Sequence, residues 1–136
     1  MNDNPNSPSK NQYKILQKEM KEWEKQGFAT TMKNVFENIF SLPKKLHWKL
    51  LLELADFAKR EFEFKEAATI FKIITHIQPY AYQGWLEHAK MEEELGNIEK
   101  CRTLLKRGLT YNPLNENLFL KSLKVEEKQE NYDEVK

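Results

Sequence analysis

Apolar residues recur along this chain at three- and four-residue steps from Tyr13 onward, the spacing of one face of an α-helix. Ile15, Leu16, Met20 and Trp23 form a first stripe, ended by Gly27. Val35, Phe36, Ile39 and Phe40 form a second, with Thr30 or Thr31 as its cap and Pro43 just past its end. Leu50, Leu51, Leu54, Ala55 and Ala58 form a third. Phe64, Ala67, Ala68, Phe71, Ile74 and Ile77 form a fourth, closed by Pro79. Trp85, Leu86, Ala89 and Leu95 form a fifth, stopped by Gly96. Asn97 caps a sixth with Ile98, Cys101, Leu104, Leu105 and Leu109, closed by Pro113. Leu118, Phe119, Leu123 and Val125 begin a seventh. No stretch sustains two-residue alternation around an Asn-Gly type turn, so strands have no support. The pattern predicts an all-α chain whose short connections make neighbouring helices antiparallel.

A fixed period underlies these stripes. Pro79 and Pro113 stand 34 residues apart, and the same shift carries Trp85 onto Phe119, Ala89 onto Leu123, Glu92 onto Glu126 and Asn97 onto Asn131. Shifted the other way, Trp85 falls on Leu51, Ala89 on Ala55, Cys101 on Ala67 and Leu105 on Phe71. Each repeat is a helix pair that cannot bury its apolar stripe alone, so neighbours stack into a continuous core. The expected fold is a right-handed α-solenoid of about three antiparallel helix pairs and a partial fourth, with repeats at roughly 11–43, 44–79, 80–113 and 114–136. Residues 1–10, rich in Asn, Ser and Pro, read as a disordered leader. Ser7-Pro8 is a minimal proline-directed phosphorylation pattern, although a plain flexible tail explains it as well. The stop at Asn131–Lys136, one to two turns into a helix by this register, suggests a fragment of a longer array, or a partner that covers the last face.

Composition narrows the function. The 136 residues carry 22 Lys and Arg against 21 Asp and Glu, a net charge of +1. That balance argues against a dominant phosphate-binding role, since nucleic-acid modules usually carry a basic excess. A single cysteine, Cys101, excludes an internal disulfide and reads as a buried packing residue in a reducing compartment. No apolar run approaches the ~18 residues of a membrane span, and the N-terminus lacks the order of a secretory signal.

The sequence Trp85-x-x-x-Ala89-x-x-Glu92-x-x-x-Gly96-Asn97, then Cys101-Arg102-x-x-Leu105-x-x-Gly108-Leu109 and Pro113, resembles the half-a-TPR (HAT) repeat. Its pattern has an aromatic, a small residue and an acid on helix A, and an Ala-Arg pair, an aliphatic or aromatic and a proline on helix B. The repeat at 80–113 fits well. The flanking ones are partial: Leu51 and Ala58 replace the aromatic and the acid upstream, where no glycine separates the helices, and Leu123 and Glu130 replace the small residue and the glycine downstream. The resemblance makes Trp85, Ala89, Glu92, Gly96, Asn97, Arg102 and Pro113 repeat-motif structural residues, with Arg102 expected to pair with a helix-A acid such as Glu92. It also implies a non-catalytic protein–protein scaffold, nuclear and in RNA processing, that presents a concave groove to a helix or extended peptide. On that groove Tyr82, Gln83, Glu87 and Lys90 form the expected partner surface.

Other chemistry is thin. His47, His76 and His88 are scattered, and no zinc or phosphate-loop motif occurs. His88 and Glu92 share a helix face at a spacing that can hold a metal, but a structural hydrogen bond or ion pair explains Glu92 more naturally. No catalytic residue, cofactor or metal is expected. Glu87, Glu92, Glu93, Glu94 and Glu99 followed by Lys100, Arg102, Lys106 and Arg107 form either solvated faces or a bipolar surface that selects partners by charge. Two basic groups keep direct single-stranded RNA binding as an alternative: Lys10, Lys14, Lys18, Lys21 and Lys25 with Tyr13 and Trp23 interleaved, and Lys44, Lys45 and Lys49. Trp23 itself falls on the apolar stripe and reads as core. A peptide-binding TPR-type adaptor would need a Lys, Arg and Asn clamp on the groove, which is not evident. Self-association through an uncapped end is also open.

Overall fold

The computed structural model describes residues 8–135, with side chains described over residues 10–130. Among them every regular element is helical. Seven α-helices run as α1 (Pro8–Glu24), α2 (Phe28–Asn38), α3 (His47–Arg60), α4 (Phe64–Ile77), α5 (Tyr82–Glu94), α6 (Ile98–Tyr111) and α7 (Glu116–Val135). Single 3₁₀ turns at Ile39–Ser41 and Lys44–Leu46 link α2 to α3. Each helix matches one apolar stripe, and successive helices pack as pairs, the all-α TPR-like architecture. The helix α1 begins at Pro8, inside the segment read as a leader. The rest of that leader with Ser7, and the side chains of Asn131–Lys136 used in the repeat alignment, lie outside the described residues.

The chain divides into two compact units, residues 1–70 and 71–136. In the first, Leu16 and Met20 of α1, Thr31 and Val35 of α2, and Leu50, Leu54, Ala55 and Phe57 of α3 are buried. The Tyr13 hydroxyl donates to the Glu53 carboxylate, and Gln17 Nε2 donates to the same group at 2.9 Å. Burial first, then the Glu53 hydrogen bond and charge, push the Tyr13 hydroxyl far above its ordinary pKa, so it remains a donor. At the other end of both helices Arg60 meets Glu24 at 3.7 Å. Trp23, read as core, is only half-buried.

Some stripe positions turn outward. Ile15 is 55% exposed, because Leu16 and Met20 take the inward face one residue on. Phe40 is 80% exposed. The helix α2 stops at Asn38 and the chain tightens into a 3₁₀ turn, whose three residues per turn bury Ile39 and rotate Phe40 into solvent. The cap predicted at Thr30 or Thr31 is instead Gly27, at φ 104°. Thr31 is wholly buried one turn inside, donating its hydroxyl to the Gly27 carbonyl at 2.8 Å.

The connections after α3 and α5 share one backbone. Gly96 adopts φ 85° after α5, the left-handed residue that ends many helices. The repeat places Phe62 at the same point after α3, and it adopts φ 61° although it is not glycine. The upstream repeat thus keeps the turn geometry without the residue that makes it easy, at a cost of roughly 1–2 kcal/mol. Phe62 is 78% exposed, so its side chain recovers little of that. Phe62→Asn should therefore raise stability by about 0.5–1 kcal/mol, since Asn tolerates this conformation better. Urea denaturation checks this, and a loss of stability would show that the Phe62 ring matters more than its backbone.

Candidate protein-interaction site

The second unit is built around Trp85. Trp85, Ala89, Cys101, Leu105, Leu118 and Val125 form its buried core, with Tyr82, Leu86, Ile98, Leu104 and Leu109 packed on it. The indole Nε1 donates to the Pro79 carbonyl at 2.9 Å, and Asn112 Nδ2 donates to the same oxygen at 3.0 Å. Tyr111 stacks on the indole at 5.8 Å between centroids, and Tyr80 meets Tyr111 edge-on at 5.7 Å. Gly108 lets α6 approach: a Cβ there would stand 2.8 Å from Trp85 Cβ and 3.2 Å from Leu118 Cδ1. Gly84 does the same between α5 and the end of α4, where a Cβ would stand 2.8 Å from Ile74 Cγ2. Cys101 is buried as expected, and burial, then the Glu93 charge, push its thiol up to about 11.

The polar motif residues pair differently from the expectation. Arg102 does not meet Glu92. Its Nε and an Nη donate to both oxygens of Glu126 on α7 at 2.8 and 2.9 Å, and its other Nη donates to Glu99 at 2.9 Å. Glu126 is Glu92 shifted by one repeat, so the helix-B arginine grips the helix-A acid of the next repeat. One repeat earlier the arginine's place is taken by Ala68. Glu92, only 3% exposed, is served from its own repeat. His88 Nε2 lies 3.2 Å from Glu92 Oε2, and Asn97 Nδ2 donates to Oε1 at 2.8 Å. The Asn97 side chain is therefore spent on this carboxylate and makes no cap hydrogen bond to α6. A second link joins α5 to α7, where Lys121 and Lys128 reach Glu93 at 2.5 and 3.7 Å. Burial would raise the Glu93 pKa, but the Lys121 hydrogen bond and both lysine charges outweigh it and hold the carboxyl low.

His88 stacks on Phe71 at 5.2 Å, and its Nδ1 is buried without a partner among the described residues. Burial lowers its pKa despite the adjacent Glu92, with Lys72 and Lys100 pushing the same way. Among the described residues, no group of three or more His, Cys, Asp or Glu is placed to hold a metal. His88 and Glu92 thus meet each other and Asn97.

Of the expected partner surface, Gln83, Glu87 and Lys90 share one half-buried face of α5, where Lys90 pairs with Glu87 at 3.5 Å. Tyr82 lies one position round and packs against the core. A larger feature was not singled out from the sequence. On α7, Leu118 and Val125 are buried, whereas Phe119, Leu120 and Leu123 are 54%, 53% and 46% exposed, and Leu114 just before the helix is 94% exposed. Shifted back by one repeat, Leu118 and Val125 are Gly84 and Met91, while Phe119 and Leu123 are Trp85 and Ala89. On α5 the latter two are covered by α6. The open face of α7 therefore repeats the face that α5 uses to seat a helix. The register carries this signal only as the match of Phe119 to Trp85.

Residues 41–136 match the protein family described as PRP6, TPR-like domain. The chain is also 45% identical over 125 residues to a TPR-containing protein of Dictyostelium discoideum. That alignment covers 92% of this chain and 10% of the relative, so the chain spans about a tenth of the relative's length. No described helix is long and apolar enough to cross a membrane.

His88 gives this core a pH dependence of definite sign. Its pKa is lower in the folded state, so the unfolded chain takes up a proton first as pH falls below the ordinary histidine value of about 6.5. Its contribution is complete above that value and is lost below it, at no more than about 1.4 kcal/mol per pH unit. Stability measured between pH 7.5 and 5 should fall toward acid, and His88→Gln should flatten the slope. An identical slope in the variant would contradict the assignment.

Proposed function

This chain belongs to the PRP6 TPR-like domain family, and from that membership we propose that it is a non-catalytic interaction scaffold in a nuclear RNA-processing assembly, the pre-mRNA splicing machinery first. TPR-like domains bind other proteins and are typically non-catalytic. The observation that carries the reading is the match of residues 41–136 to that family, and the apolar face of α7 accords with it. Phe119, Leu120 and Leu123 offer an apolar strip whose repeat equivalents on α5 are covered by a helix. Such a face seats a helix, either the next one of the array or one brought by a partner.

The occupant that fits is an amphipathic helix with the pattern of α6, carrying a small residue where Gly108 meets Trp85 and aliphatics where Leu105 packs. Gln83, Glu87 and Lys90 on α5 form a second, polar contact face. Such a scaffold works by holding apolar and charged faces at fixed spacing, so that partner segments dock with little ordering cost of the scaffold itself.

The test is a tagged pull-down from nuclear extract, with and without ribonuclease, using the native chain and a Phe119→Asp/Leu123→Asp double variant. Both positions are about half exposed, so the variant should fold, and its thermal melt verifies this. The account expects a defined set of splicing proteins that survives nuclease and is lost from the variant. Partners that vanish with the RNA, or an unchanged set on the variant, would contradict it. A native chain that sediments as a dimer beside a monomeric variant would instead make a second copy the occupant.

A further inference from the structure

The start of α3 and the connection before it form an acid-free, lysine-bearing stretch. From Ile39 to Leu52 there is no Asp or Glu, and three lysines: Lys44, Lys45 and Lys49. From Pro8 to Lys18 there is again no Asp or Glu, and Lys10, Lys14 and Lys18 are present. The two stretches lie at one end of the first unit. Tyr13 and Gln17 bind Glu53 while Glu24 meets Arg60, so α1 and α3 run in the same direction and begin at the same end.

Of the carboxylates that border these stretches, the one on α3 is committed. Glu53, the first acid after Lys49, receives Tyr13 and Gln17. Glu37, three residues before Phe40 in the sequence, borders the stretch on the other side and is exposed. The side chains of Lys44, Lys45 and Lys14 are exposed and have no ion-pair or hydrogen-bond partner among the described residues. The Lys49 ammonium lies 5.9 Å from the Trp48 ring centroid.

In the same connection, four and five residues before Lys44 and Lys45, stands an apolar group held in place. Phe40 is 80% exposed, and its ring meets His47 edge-on at 6.0 Å and 88°. His47 is itself fixed by its Nε2, 2.9 Å from the Leu42 carbonyl oxygen. The ring is thus oriented on one side and uncovered on the other. Exposed lysines in the same connection as an open aromatic ring suit an anionic ligand that also brings an apolar group. The net charge of +1 over the whole chain favours a short acidic segment over a continuous polyanion.

We propose that this end of the first unit docks an acidic peptide segment of a partner protein. Its carboxylates meet Lys44, Lys45 and Lys49, and one of its apolar or aromatic side chains covers the open face of Phe40. The assignment rests on the scaffold reading and supplies a partner chemistry for a surface separate from α7.

Fluorescence anisotropy of the full chain with a labelled Asp/Glu peptide bearing one central Phe tests it, alongside a labelled oligouridylate. Saturable peptide binding should weaken as salt rises and fall about tenfold in Lys44→Glu/Lys45→Glu, as for truncated charge complementarity elsewhere. Phe40→Ala should weaken it several-fold, and Lys106→Glu/Arg107→Glu on α6 should leave it unchanged. All of these side chains are exposed, and unchanged melting curves confirm that each variant folds. Absent saturable binding, equal binding by the Lys44/Lys45 variant, or tighter binding of the oligouridylate with the same variant losses would overturn the proposal. Its failure alone leaves α7-dependent partners intact, whereas failure of the scaffold reading removes those partners when RNA is digested.

Discussion

The second unit depends on the place where Gly108 lies against Trp85. With no side chain on Gly108, α6 closes onto α5 until its backbone meets the indole's own Cβ. That approach brings Asn112 to the carbonyl of Pro79 that the indole also uses, and lays Tyr111 on the ring. Leu118 of α7 then enters the same contact from the next repeat. Truncating a buried tryptophan typically costs about 3–5 kcal/mol, so one aromatic anchors three helices here.

Around this apolar seat the repeat arranges its charges by register. Arg102 spans to Glu126 of the following repeat, a bidentate pair that fixes orientation more than it adds stability, because both side chains are about two-fifths exposed. Where Ala68 takes the arginine's place, the equivalent acid is not left unpaired. Glu92 is buried with His88 and Asn97 as its donors. The trio replaces an inter-repeat link with an intra-repeat one, and it leaves His88 Nδ1 without a partner among the described residues. Burying a carboxylate is tolerable only with such donors, which explains why Asn97 abandons its capping role.

The helices and their order were readable because buried side chains must repeat every three to four residues on a helix of this length. The TPR-like class was readable because one well-matched repeat, with Trp85, Ala89 and Gly96 each at a position with its own steric reason, is flanked at a fixed shift by apolar equivalents such as Leu51, Ala55 and Phe119. The pairing of Arg102 was half-readable. The motif named a helix-A acid, and only the packing of α7 onto α6 decided that it belonged to the next repeat. Three features were hidden. Phe40 shares its spacing with buried residues, and only the switch to a 3₁₀ turn turned it outward. Phe62 holds a left-handed backbone that its side chain gives no reason to expect. Phe119 and Leu123 match a buried pair by sequence yet stand open, since burial depends on the neighbour and not on the residue.

A chain of the PRP6 TPR-like family built this way offers two kinds of surface, an apolar strip on α7 and a basic, aromatic end on the first unit. In the second unit the internal contacts are settled by small residues at helix crossings, Gly84 and Gly108. The stability of Gly108→Ala, measured by urea denaturation, tests that account most directly through its sign. Glycine to alanine inside a helix ordinarily stabilises by about 0.5–1 kcal/mol. With Trp85 Cβ standing 2.8 Å from the new methyl, the account predicts destabilisation of about 1–3 kcal/mol, the usual cost of overpacking. A more stable Gly108→Ala protein would contradict it, and would mean that α5 and α6 are not held together at this crossing.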